Sequence, residues 1–164
     1  MNVFDNIQGV AHVVAESSRL KATTTGHIYD LEMIEDTDNG TIIAVGAHVE
    51  GQVFKAKTYV AGDKPYLVLT PPLAYNGKKA WSDEKYFYNE KGSVARAYEL
   101  HQDDIFTVSA DAFTGSPEVG KYVDATYTVA ESAPATGFVG EIIEEVTYTN
   151  STSYRILVRE INKA

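Results

Sequence analysis

From His27 to Val45 the chain reads HIYDLEMIEDTDNGTIIAV. Tyr29, Leu31 and Met33 alternate with Asp30 and Glu32, the period of two of a strand with one buried face. Asp38-Asn39-Gly40 then supplies turn residues, and Thr41 to Val45 forms a second run rich in β-branched residues. Asn-Gly between two such runs predicts a β-hairpin, because a type I′ turn needs positive φ at both central positions.

The same alternation continues downstream. Gln52 to Val60 reads as a strand, Gly62-Asp63 turns the chain, and Tyr66-Leu67-Val68-Leu69 is a continuous apolar run suited to a strand buried on both faces. Pro71-Pro72 ends that run, since proline cannot donate to a sheet ladder. Further strands are expected over Ser93 to Leu100, Ile105 to Ser109, Lys121 to Val123, Thr126 to Val129, Phe138 to Tyr148 and Tyr154 to Ile161. His101 to Asp104, Gly115-Ser116-Pro117, Gly120 and Ser132 to Gly137 separate them. Short strands with regular turn signals predict an all-β fold, a single-domain β-barrel or β-sandwich.

Two stretches break the pattern. Residues 1–25 place Phe4, Ile7, Val10, Ala11 and Val14 at roughly helical spacing, interrupted by Gly9, Ser17-Ser18 and Thr23-Thr24-Thr25. They read either as a short amphipathic helix or as an N-terminal arm that orders against a partner, with residues 26–164 as the all-β domain. Leu73 to Gly92 is irregular and holds Trp81 with Tyr75, Tyr86, Phe87 and Tyr88 among charged residues. Aromatics mixed with polar groups make it a candidate contact surface, although Trp81 and Phe87 would also suit the plug of a barrel end.

Composition narrows the function classes. The net charge of −9, with only 14 scattered Lys and Arg, argues against a nucleic-acid partner. There is no cysteine, which excludes disulfides and thiolate metal sites. No apolar run approaches the ~20 residues of a membrane-spanning helix, so no membrane partner is expected. The chain starts without a basic segment followed by a hydrophobic run, so a cytoplasm is the expected place of synthesis.

No nucleophile elbow, phosphate-binding glycine loop or dinucleotide fingerprint occurs, and the expectation is a protein that is not an enzyme and uses no cofactor. His12, His27, His48 and His101 are far apart with no H-x-x-x-H pair, so no metal site is expected from spacing, although they could meet in space. Asp36 to Gly40 superficially resembles a calcium loop, but Gly40 comes one position early and the twelfth position is Ala47. Asp103-Asp104 and Glu144-Glu145 are carboxylate pairs whose neighbours point to opposite strand faces, and both read as solvated charge.

HIYDLEMIEDTDNGTIIAVG, KGSVARAYELHQDDIFTVSADAF and GFVGEIIEE, in that order between His27 and Ile161, together resemble a family of small virion proteins. These are the head accessory or decoration proteins of tailed bacteriophages. The resemblance implies a structural protein at the capsid surface that binds the major capsid protein of the same phage, with homo-oligomers possible. It carries no assigned functional residues. Phe4 and Ile7 of the arm and Trp81, Tyr86 and Tyr88 of the long loop are the expected contacts. The alternatives are a tail-tube or baseplate protein, or a carbohydrate-binding module with Trp81 and nearby tyrosines as a stacking platform.

Overall fold

The computed structural model describes residues 12–71, 87–148 and 151–163. The fold is all-β. Its strands are β1 (Ala15–Arg19), β2 (Ile28–Glu32), β3 (Ile42–Glu50), β4 (Val53–Thr58), β5 (Tyr66–Val68), β6 (Val94–Glu99), β7 (Ile105–Ser109), β8 (Tyr122–Val123), β9 (Val129–Ala130), β10 (Gly137–Tyr148) and β11 (Ser151–Lys163). A helical turn, α1 (Ala22–Thr25), sits between β1 and β2. Strands β2-β4-β3-β5-β6 close a five-stranded barrel, and β1-β7-β11-β10-β8-β9 form a six-stranded sheet.

Two cores follow from this layout. Leu31, Met33, Ile43, Ala56, Tyr66, Val68, Ala95 and Ala97 fill the barrel. Ile42, Leu67 and Leu100, on the outer side of the barrel strands, pack with Phe106, Val108, Phe138, Ile142 and Ile156 of the sheet. Strand β5 therefore divides its side chains between both cores, Tyr66 and Val68 inward and Leu67 outward. This is the physical reason for its unbroken apolar run, which the sequence predicts to be buried on both faces. The expected C-terminal hairpin forms as a long antiparallel pair of β10 and β11.

The hairpin expected across Asp38-Asn39-Gly40 does not form. Strand β2 pairs with β4 in parallel and with β6 antiparallel, while β3 pairs with β4 and β5. Of the two central turn residues only Gly40 has positive φ, at 90°, so the type I′ condition fails. Thr41 N–H instead donates to Asp38 C=O at 3.3 Å, the type II form with glycine third. The strand expected over Thr126 to Val129 also starts later. Tyr127 is left-handed (φ 58°) in a turn closed by its N–H to Asp124 C=O, and β9 begins at Val129.

Part of the expected arm is in the sheet. Strand β1 pairs with the edge of β7, from Ala15 opposite Val108 to Arg19 opposite Ile105. It is polar because it is an edge strand with little inward surface. Val14 and Leu20 at its two ends are buried.

Candidate functional site

The Asp38-Asn39-Gly40 turn is the junction of the molecule, one residue for each attachment. Asp38 faces the N-terminal segment: its Oδ1 lies 2.5 Å from His12 Nδ1, and its Oδ2 accepts from Val13 N–H at 3.3 Å. Asn39, almost fully buried, donates to Thr70 C=O at 2.9 Å and accepts from Thr70 N–H at 3.0 Å. Asn89 Nδ2 also donates to Asn39 Oδ1 at 3.1 Å, and the Asn89 backbone exchanges hydrogen bonds with Thr37 at 2.8 Å each. Gly40 C=O accepts from the Tyr127 hydroxyl, which ties the turn to the sheet. Thr70 lies just before the long loop and Asn89 near its far end, so Asn39 holds the chain at both places.

Of the expected contacts, Phe4, Ile7, Trp81 and Tyr86 lie outside the described residues. Tyr88 is described: it is half-buried and stacks on the His12 ring, with centroids 4.6 Å apart and planes at 23°. The described ends of the arm and of the loop thus meet at one place, which their separation in sequence could not reveal. Beside it, between barrel and sheet, a cleft of about 450 Å³ is lined by Val13, Gly40, Thr41, Ala112, Ala125 and Tyr127.

The carboxylates near the turn are committed to structure. Asp36 accepts from Lys91 N–H at 2.9 Å and Asp38 is held as above, so the calcium-like string serves as turn and tether. The expectation of solvated charge holds for Glu144, which is exposed and pairs with Arg155 at 2.8 Å. It fails for Asp104, which is buried and accepts from Lys21 N–H at 3.0 Å and His101 N–H at 2.8 Å. Burial raises the Asp104 carboxyl above the ordinary range, opposed by these two hydrogen bonds.

A second cluster lies at the opposite end of the β2–β6 pair. Tyr29, Leu31 and Met33 point toward the barrel core, as do Ala95 and Ala97, and the same alternation carries His27 and Glu99 to the barrel mouth. His27 C=O accepts from Glu99 N–H at 3.1 Å, continuing the β2–β6 ladder, and His101 follows two residues after Glu99 on the same face. His27 Nδ1 lies 3.4 Å from Glu99 Oε2, and His101 Nε2 lies 3.4 Å from Glu99 Oε1. The His27 and His101 rings stack with centroids 6.3 Å apart. Spacing in the sequence hides this group, because only the β2–β6 register brings His27 across. The pairing of Glu99 with His101 at i, i+2 was the one local signal.

Comparison with known proteins finds no matching family model, no matching curated protein and no matching solved structure. The bacteriophage resemblance therefore rests on the sequence segments alone.

Proposed function

We propose that this chain is a virion structural protein that decorates or stabilises a tailed-phage capsid by binding the major capsid protein, after synthesis in the host cytoplasm. The observation that carries this reading is the common base of the two contact stretches. Asp38 holds the described end of the arm, Asn39 holds the chain just before the long loop and near its far end, and His12 stacks on Tyr88. Aromatic contacts presented from a rigid base lose less conformational freedom on docking than the same residues on a loose tail. Phe4, Ile7, Trp81, Tyr86 and Tyr88 are the contacts of this reading. The acidic charge of −9 supports solubility at the concentrations that lattice assembly requires.

The test is quantitative mass spectrometry of purified particles with heads separated from tails, combined with co-sedimentation of the chain with empty capsids. Copy number near that of the major capsid protein, in heads, is the expected result. Replacement of Trp81, Tyr86 and Tyr88 by Ala should release the chain from capsids while its circular dichroism stays unchanged. Copies confined to tails would move the protein to a tail-tube or baseplate role, and absence from particles would overturn the reading.

A further inference from the structure

We infer that His27, Glu99 and His101 form a binding site for a divalent transition-metal ion, with zinc as the best match. The inference is independent of any capsid attachment. One atom from each residue can be chosen so that all three lie within 4.8 Å of one another. Zinc bonds of ~2.0–2.2 Å in a tetrahedron require ligand atoms roughly 3.3–3.5 Å apart. Each histidine nitrogen already lies at this distance from a Glu99 oxygen, His27 from Oε2 and His101 from Oε1, so a small turn of the carboxylate lets it serve both or bind through both oxygens. Closing the remaining histidine–histidine gap falls to His27, the most exposed of the three at 55%, whereas Glu99 and His101 are 15% and 21% exposed.

Without an ion the same arrangement is poorly satisfied. A charge-assisted N–H···O bond is about 2.7–2.9 Å long, and both contacts exceed that by half an ångström or so. His101 Nδ1 is buried with no hydrogen-bond partner among the described residues, and Asp104 Oδ2 lies 4.0 Å from it. A metal on His101 Nε2 fixes the tautomer with the proton on Nδ1. That proton then sits on the nitrogen 4.0 Å from Asp104 Oδ2, and a small approach of the two would complete the carboxylate–histidine–metal arrangement that orients ligating imidazoles. Asp104 is itself immobilised by the Lys21 and His101 amides, so it can act as this outer support.

Two imidazoles and one carboxylate suit zinc, nickel, cobalt or copper, while calcium would want six to eight oxygens. The three protein ligands leave a coordination position open at the barrel mouth for water or for a donor atom from a partner. The ion would clamp the segment after α1 to the end of β6.

The experiment is titration of chelator-treated, full-length protein with zinc chloride, followed by calorimetry, and with cobalt chloride, followed by visible absorption. One zinc per chain is expected, together with cobalt d–d bands of a four-coordinate site. A melting temperature higher by roughly 5–10 °C is expected at zinc concentrations 100 times Kd. H27A, at the most exposed position, and the isosteric E99Q should fold as wild type by circular dichroism and lose saturable binding. H12A and H48A should bind as wild type. Absence of saturable binding in the wild-type chain, or wild-type affinity in H27A and E99Q, would overturn the inference.

Discussion

The Tyr127 hydroxyl donates to the Gly40 carbonyl, joining a left-handed residue of the sheet to the positive-φ glycine of the barrel turn. Both groups are buried at the junction of the two layers. Tyr127→Phe leaves the Gly40 carbonyl without its partner and should cost about 1–3 kcal/mol at neutral pH, read from urea melts.

Alkaline stability follows from the same residue. Burial pushes the Tyr127 phenol far above its usual value of 10.0, and burial with the nearby Glu99 charge does the same for Tyr66. A folded-state pKa raised above the unfolded one means stability fully present below pH 10 and lost as pH rises beyond it, because the unfolded phenols ionise first. Melts between pH 9 and 12 should show this decline, and it should be shallower in Tyr127→Phe. Parallel curves for mutant and wild type would show that Tyr127 is not the linked group.

Gly40 is constrained in two ways. Its φ of 90° disfavours any side chain, and an added Cβ would lie 2.9 Å from Val108 Cγ1 and 3.1 Å from Ala15 Cβ. Gly40→Val should cost roughly 2–4 kcal/mol, the sum of left-handed strain and overpacking. Gly51→Ala is the control, with positive φ but open space, and should cost about 1 kcal/mol. Equal losses for the two would mean that packing against Val108 does not matter.

Removing the segment before Ala22 tests whether it belongs to the body of the protein. A chain that starts at residue 22 loses β1 and the buried Val14 and Leu20. Relative to one that starts at residue 12 it should lose at least ~3 kcal/mol, from about 1.5–3 kcal/mol per buried aliphatic side chain. A truncated chain with the same urea midpoint would identify β1 as a dispensable arm.

Leu67 links the two cores. Leu67→Ala should cost about 2–5 kcal/mol, and melts followed in the far and near ultraviolet should still coincide, because β5 serves both layers. Separate transitions would show that barrel and sheet unfold independently.

Strands β4, β6, β10 and β11 were readable because side-chain period and burial report the same face, and β5 because its run is apolar throughout and buried on both. Pairing was not. Alternation in Tyr29-Leu31-Met33 states which side is buried, not which strand lies beside it, and the parallel neighbour β4 leaves no local trace. Asn39-Gly40 was read as a hairpin because its turn chemistry is strong, yet Asn39 is held by Thr70 and Asn89, distant in sequence. Thr126-Tyr127-Thr128 has strand composition, but its conformation is set by the Asp124 side chain, which accepts from the Thr126 and Thr128 amides. The metal-ligand cluster and the buried state of Asp104 likewise depend on register and tertiary packing.

The order of the strands also bears on synthesis. The barrel comes from one continuous stretch, β2 to β6, whereas the sheet takes β1 from near the start of the chain and its central strand β11 from near the end. A ribosome releasing this chain would free every barrel strand while β1 still waits for β7 and β11. The outer face of the barrel, Ile42, Leu67 and Leu100, would be uncovered during that interval. Pulse-labelled hydrogen exchange during refolding should therefore protect Leu31 and Ala97 before Phe106 and Ile156, with β11 closing the last gap.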